Sequence, residues 1–213
     1  LLTYALNGNA DFMGDDIHYA SNHDFVGIEF SIHGMLDGRV RVGMPGKFNA
    51  DNALAALAVC TLALSGGSGV LDDHTKQAIL GSLVKVRVDG RMEIAHVSKK
   101  CSVIVDYAHN AVSMESLLTT LRDYHPKRLV CVFGCGGNRA RDRRYSMGEI
   151  GGRMADLCII TADNPRFEKN EDIIKDIEVG LAKTDGTYLV IPDRREAIFY
   201  AIRNAEEGDM IAI

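Results

Sequence analysis

The chain has 213 residues, enough for one large domain or two small ones. Its 46% hydrophobic content fits a soluble globular fold with a real core, while 24 basic against 29 acidic residues, a net charge of −5, argue against a surface that coats nucleic acid. Cys60, Cys101, Cys131, Cys135 and Cys158 form no CxxC pair and lie mostly in apolar runs, which suits a reducing cytoplasm; Cys131 and Cys135 could bind a metal in principle, but no matching Cys or His lies near them in the sequence. The longest apolar stretch, residues 53–64, is too short to span a bilayer, and no signal peptide precedes it. With no initiator Met and a mid-strand ending at Ile213, the sequence reads as a piece of a longer protein.

Along residues 1–45, apolar and polar positions alternate between turn signals. Phe25, Ile28 and Phe30, then Val40 and Val42, predict short antiparallel strands joined by turns at Asn7-Gly8-Asn9 and Leu36-Asp37-Gly38. A helix is expected over 52–64, apolar almost all round and therefore buried, and a second over 73–84 after the Gly66-Gly67-Ser68-Gly69 break. From Val88-Asp89-Gly90 onward the grammar changes. Apolar runs at 102–105, 129–133, 157–161, 188–191 and 210–213 read as buried strands. Helical faces lie between them: Met114/Leu117/Leu118/Leu121, Ile173/Ile177/Leu181 and Ile198/Ala201/Ile202/Ala205. This alternation predicts an α/β fold in two parts. Residues 1–87 form an α+β unit, and 88–213 a doubly wound, mostly parallel Rossmann-like sheet.

In such a sheet, ligands collect beyond the carboxyl ends of the strands. Three of those ends carry residues that folding does not require: Asp106-Tyr107-Ala108-His109, Gly134-Cys135-Gly136-Gly137-Asn138-Arg139 and Asp163-Asn164-Pro165-Arg166. The glycines would let the backbone aim N–H groups at an anion, and Arg139, Arg141, Arg143 and Arg144 supply forks for carboxylate or phosphate. A tight turn with a solvated charged face explains the same residues. Asn164 and Arg166, stiffened by Pro165, can clamp an amino acid, or Asp163-Asn164-Pro165 can form a turn that caps the next helix. Asp106 and His109 suit a ribose diol and a phosphate or base; they equally suit a helix cap and a surface histidine. Asn49 and Asn52 either cap their helix or meet an adenine edge, and Arg91 either reaches a phosphate or makes an ion pair. There is no GxSxG elbow, HExxH helix, GxGxxG fingerprint or Walker A loop, since Gly46-Lys47 is followed by Phe48.

Read in order, Met44-Pro45-Gly46-Lys47-Phe48-Asn49, Asn52-Ala53-Leu54-Ala55-Ala56, Gly90-Arg91-Met92-Glu93 and the three strand-end blocks resemble the Mur ligase family, MurE type. The resemblance implies an ATP-dependent amide ligase of peptidoglycan precursor synthesis. Such a ligase activates the terminal carboxylate of UDP-N-acetylmuramoyl-L-alanyl-D-glutamate as an acyl phosphate, which a diamino acid then attacks. By the same resemblance, Asn49, Asn52, Arg91, Asp106 and His109 bind ATP. Arg139, Asp163, Asn164, Pro165 and Arg166 hold meso-diaminopimelate, with L-lysine as the alternative. An Arg facing the lysine ε-ammonium would be repulsive, which favours the diacid. The family's phosphate loop, carbamylated lysine and Mg²⁺ ligands are expected before Leu1, and a Gly-Lys-Gly-His-Glu block after Ile213. The cofactors are therefore ATP and Mg²⁺, with no catalytic residue and no metal ligand within these residues. Small-molecule substrates, no nucleic acid, no membrane, a cytoplasmic location and a monomer complete the expectation, and the piece alone should lack ligase activity. Two departures stand out: Asn110-Ala111 replaces the usual Thr-Pro, and Asn138 a common Asp. The alternatives are a related ligase such as folylpolyglutamate synthetase, or a non-catalytic ligase-like binding module. The glycine spacing disfavours a nucleotide-binding oxidoreductase.

Overall fold

A computed structural model describes residues 2–22 and 24–213. The chain divides into two compact units, Leu1–Asp89 and Gly90–Ile213, two residues beyond the division expected from composition. No helix among the described residues is long and apolar enough to cross a membrane.

The first unit is a four-stranded sheet in the order β1-β2-β3-β4, covered by helices. Strands β2 (Phe12–Ser21), β3 (Val26–Gly34) and β4 (Gly38–Val42) pair antiparallel, with Phe30 opposite Val40 and Ile28 opposite Val42. Strand β1 (Tyr4–Leu6) departs from the expected pattern, because it pairs with β2 in parallel, Tyr4 beside Phe12. The Asn7-Gly8-Asn9 turn does not reverse the chain into a hairpin. Asn7 takes a left-handed φ of 57° and donates its N–H to the Gly14 carbonyl, and the following residues carry the chain back until Phe12 N–H meets the Thr3 carbonyl. A Cβ at Gly14 would lie 2.7 Å from the end of the Leu6 side chain, so a larger residue there would have to push that flexible end aside.

Helix α1 (Phe48–Leu64) starts four residues earlier than expected and is not buried all round. Asn49, Ala50, Ala53, Leu54, Leu57, Ala58 and Thr61 form its buried stripe, while Val59 and Leu64 are 66% and 63% exposed. A helix lying on a single sheet can bury only one face, however apolar the other face is. Helix α2 (Asp73–Ser82) begins at Asp72, whose carboxylate accepts the Thr75 N–H, and it tightens into a 3₁₀ turn at Leu83–Lys85.

The second unit is a six-stranded sheet in the order β5-β6-β10-β7-β8-β9. Its strands are β5 (Glu93–Val97), β6 (Cys101–Val105), β7 (Arg128–Phe133), β8 (Leu157–Ile160), β9 (Tyr188–Val190) and β10 (Asp209–Ala212). All neighbours run parallel except the β5 edge, and β10 returns to the centre between β6 and β7. Helices α3 (Ala111–Arg122), α4 (Asp142–Met154) and α5 (Asn170–Leu181) pack side by side on one face. Helix α6 (Arg194–Arg203) covers the other, against Val130, Val132, Ile159 and Ile211. Its buried face is Ala197 and Ala201, continued by Ala205, whereas Ile202 is 37% exposed. Of the expected face, Ala201, Ala205 and the partly buried Ile198 pack on the sheet and are joined by Ala197, so only Ile202 departs from it.

Helix α4 lies where the sequence suggested only a charged run. Three glycines in thirteen residues make a poor isolated helix. The glycines serve packing instead: a Cβ at Gly148 would stand 2.2 Å from the Ile177 carbonyl, and one at Gly180 2.0 Å from the Tyr145 carbonyl. Helices α4 and α5 therefore touch backbone to backbone, and tertiary contact overrides propensity.

Candidate functional site

The loops after β6, β7, β8 and β9, together with Ile213 after β10, surround one cavity of about 570 Å³, a size that suits a small molecule. Of the residues expected at a site, Asp106, His109, Arg139, Asp163, Asn164 and Arg166 line it, while Arg91 and Pro165 do not. Asn49 and Asn52 belong to the first unit, and neither caps α1. Asn49 is buried and donates to the Pro45 carbonyl at 2.6 Å, and its own carbonyl accepts from Asn52 at 3.1 Å.

Asp106 binds backbone on both sides. One carboxylate oxygen accepts Ala108 N–H and the other Met92 N–H, both at 2.8 Å. This ties the Gly90–Glu93 loop, in which Gly90 and Met92 adopt left-handed φ, to the end of β6. Arg91 is left exposed and stacks over the Tyr107 ring at 4.9 Å; Tyr107 in turn lies 5.2 Å from the His109 ring. The cap of α3 is Asn110, not Asp106. Its side chain accepts Ser113 N–H and its own N–H meets the Ser113 hydroxyl, so the Asn110-Ala111 departure has a structural use.

The glycine-rich turn and the Asp163–Arg166 loop are bound to each other. Gly137 N–H donates to the Asn164 carbonyl at 2.8 Å, and Arg166 Nη1 donates to the Gly137 carbonyl at 2.7 Å. Asn138, at φ 52°, accepts Phe167 N–H on its side chain, and its own N–H binds the Glu168 carboxylate. A Cβ at Gly134 would meet the Thr161 carbonyl at 2.2 Å, and one at Gly137 the Pro165 carbonyl at 1.9 Å. These glycines thus admit the neighbouring loop, and the Gly137 and Asn138 N–H groups expected to face an anion are already used. Nor does the Asp163–Pro165 turn cap α5, whose cap position is Lys169 without a side-chain bond.

Beneath the loops lies Arg144, 1% exposed, donating to Asp176 of α5 at 2.9 Å and to Glu168 at 2.8 Å. The Arg144 guanidinium, helped by Asn138 N–H, holds the Glu168 carboxyl down at about 2. Burial pushes the Cys135 thiol up to about 12, so it stays neutral and is no nucleophile. Among the described residues no group of three His, Cys, Asp or Glu side chains is placed to hold a metal ion.

Two further arginines line the cavity: Arg143 on α4, one of the forks expected to meet an anion, and Arg194 on α6, which was not singled out in the sequence. The strand-end rule pointed to Arg194, because β9 also ends in a polar cluster, Pro192-Asp193-Arg194. Four arginines and two aspartates line the cavity, an excess of two positive charges in a chain of net charge −5. The cavity is built for anionic groups.

Comparison with known proteins identifies the family of this fold. The family model "Mur ligase, glutamate ligase domain" matches residues 90–213. The UDP-N-acetylmuramoyl-L-alanyl-D-glutamate–2,6-diaminopimelate ligase of Alkaliphilus oremlandii is 35% identical over 214 residues, covering 100% of this chain and 42% of that protein. A solved structure of a ligase with the same printed name matches 100% of this chain and 41% of its own, with a TM-score of 0.74 at 32% identity. A folylpolyglutamate synthase from Thermotoga maritima shares the fold, with a TM-score of 0.65 at 22% identity over 95% of this chain and 43% of its own. The chain thus spans less than half the length of the relatives it matches.

Proposed function

The chain belongs to the Mur ligase family, and on that premise we propose that it is the amino-acid-binding part of an ATP-dependent ligase joining meso-2,6-diaminopimelate to UDP-N-acetylmuramoyl-L-alanyl-D-glutamate. Residues 1–87 belong to the end of the central ATP-binding domain and 88–213 to the C-terminal domain. The observation that carries the reading is the pair of interlocked loops. Asn164 and Arg166 stand at the cavity in a backbone fixed by Gly137, Asn138 and Glu168. A rigid amide and guanidinium suit an amino acid that brings a second carboxylate. The Arg166 fork has one nitrogen on the Gly137 carbonyl and the remaining N–H groups for that carboxylate.

Asp106 keeps a second lone pair on each oxygen for a ribose diol, and Arg91 carries an exposed charge suited to phosphate. His109 completes the proposed nucleotide contacts of the second unit; in the first unit, the bond between Asn49 and Asn52 leaves mainly Asn52 for its proposed adenine contact. ATP supplies the phosphoryl group that turns a carboxylate into an electrophile, with Mg²⁺ as its counter-ion. This chain's own part is to hold the amino acid. The amine then forms the new C–N bond as the C–O bond to phosphate breaks, the electron pair leaving with phosphate and the amine proton passing to solvent.

Thermal denaturation with meso-diaminopimelate, L-lysine and L-glutamate tests the reading. Diaminopimelate should raise the melting temperature most. A larger shift with glutamate would support a folylpolyglutamate-type ligase, and no shift with any of them a binding module of other purpose.

A further inference from the structure

Arg139 and Arg166 suffice for a zwitterionic diamino diacid, whose two carboxylates are balanced by two ammonium groups. Such a ligand leaves the cavity's excess positive charge uncompensated. The remaining arginines, Arg143 and Arg194, come from helices on opposite faces of the sheet, yet both reach the same cavity. Among the described residues, Arg143 makes no side-chain hydrogen bond or ion pair. Its neighbours Arg141 and Arg144 are both paired with Asp176. Arg194 reaches across the end of β8 toward the Ala162 carbonyl, 3.5 Å away, immediately before the Asp163–Arg166 loop. That distance is at the limit of a hydrogen bond, so its donors are largely uncommitted. Two guanidinium forks that keep free donors toward one cavity are well shaped for an anion.

We propose that Arg143 and Arg194 form a second seat in the cavity, for a dianionic phosphoryl group, distinct from the Arg139/Arg166 grip on the amino acid. The inference rests on the reading that this cleft receives a diamino acid for ligation. A phosphorylated carboxyl must then come within roughly 3–3.5 Å of the attacking amine, which brings its phosphoryl group to the same cleft. Two guanidinium groups meet that charge and become the contacts of the departing phosphate.

The experiment titrates the full 213-residue chain with inorganic phosphate and with meso-diaminopimelate, separately and together, at constant ionic strength, following ³¹P shifts and calorimetric heats. Phosphate should bind saturably and together with diaminopimelate. Arg143→Gln and Arg194→Gln should each weaken phosphate about tenfold while leaving diaminopimelate within about twofold, and Arg166→Gln should do the reverse. Arg194→Lys keeps the charge without the fork and should recover part of the phosphate affinity, and it stands in should Arg194→Gln fail to fold. Strict competition between the two ligands, loss of diaminopimelate instead of phosphate, or no saturable phosphate binding would overturn the proposal. Failure of diaminopimelate alone to bind would sink the ligase reading, while the phosphate arm still reports on the seat.

Discussion

Arg144 reaches from the buried face of α4 to the Glu168 carboxylate at 2.8 Å, and the same carboxylate accepts the N–H of Asn138, so one ion pair joins the two loops that carry the proposed amino-acid grip. The guanidinium is 1% exposed and its other arm is on Asp176, so removing it takes the nearest cation from two carboxylates, leaving Asp176 with the more distant Arg141. Arg144→Met should therefore cost about 1–3 kcal/mol of stability in urea denaturation. A change near zero would mean that the loops are held by their backbone bonds alone.

The same pair sets an acid limit. The folded Glu168 carboxyl titrates near 2, below its ordinary 4.5. Its contribution is therefore complete above about 4.5 and drains away as pH falls toward about 2. Wild type and Glu168→Gln should differ in stability at pH 6, and the difference should shrink through that window. A difference independent of pH would assign the effect to packing instead of charge.

Two glycine substitutions separate propensity from packing. Gly81 in α2 has open space around it, so Gly81→Ala should stabilise the chain by about 0.5–1 kcal/mol. Gly148 faces the Ile177 carbonyl, so Gly148→Ala should destabilise it by roughly 1–3 kcal/mol despite better helix propensity. Equal effects at the two sites would refute the backbone contact between α4 and α5.

Thiol accessibility checks the core. Cys60 is exposed, while Cys101, Cys131, Cys135 and Cys158 are buried. Burial pushes the Cys158 thiol, like that of Cys135, up to about 12. Brief treatment of the native chain with a maleimide at pH 7 should label Cys60 alone by mass spectrometry. Rapid labelling of Cys135 would show that the glycine-rich turn opens.

Strand positions were legible because each buried strand is a short apolar run bounded by polar turn residues, as at Arg128–Phe133. The strand-end rule then located the cavity without a structure. The β1–β2 pairing was hidden because parallel and antiparallel strands carry the same alternation, and only the left-handed Asn7 decides which forms. Helix α4 was hidden because its glycines make sense only beside α5. The partners of Gly137 and Asn138 were also out of reach, since they lie about thirty residues away on another strand's loop. Arg194 was a different omission, because the same rule applied once more to β9 points to it.

The central claim is that Arg166 selects a diamino acid with a second carboxylate. Calorimetric affinities of the chain for meso-diaminopimelate and L-lysine, in wild type and Arg166→Gln, test it most directly. Diaminopimelate should bind wild type about 10–100-fold more tightly than lysine, and Arg166→Gln should remove most of that ratio by weakening diaminopimelate. Equal affinities in wild type, or a preference that survives the substitution, would contradict the account.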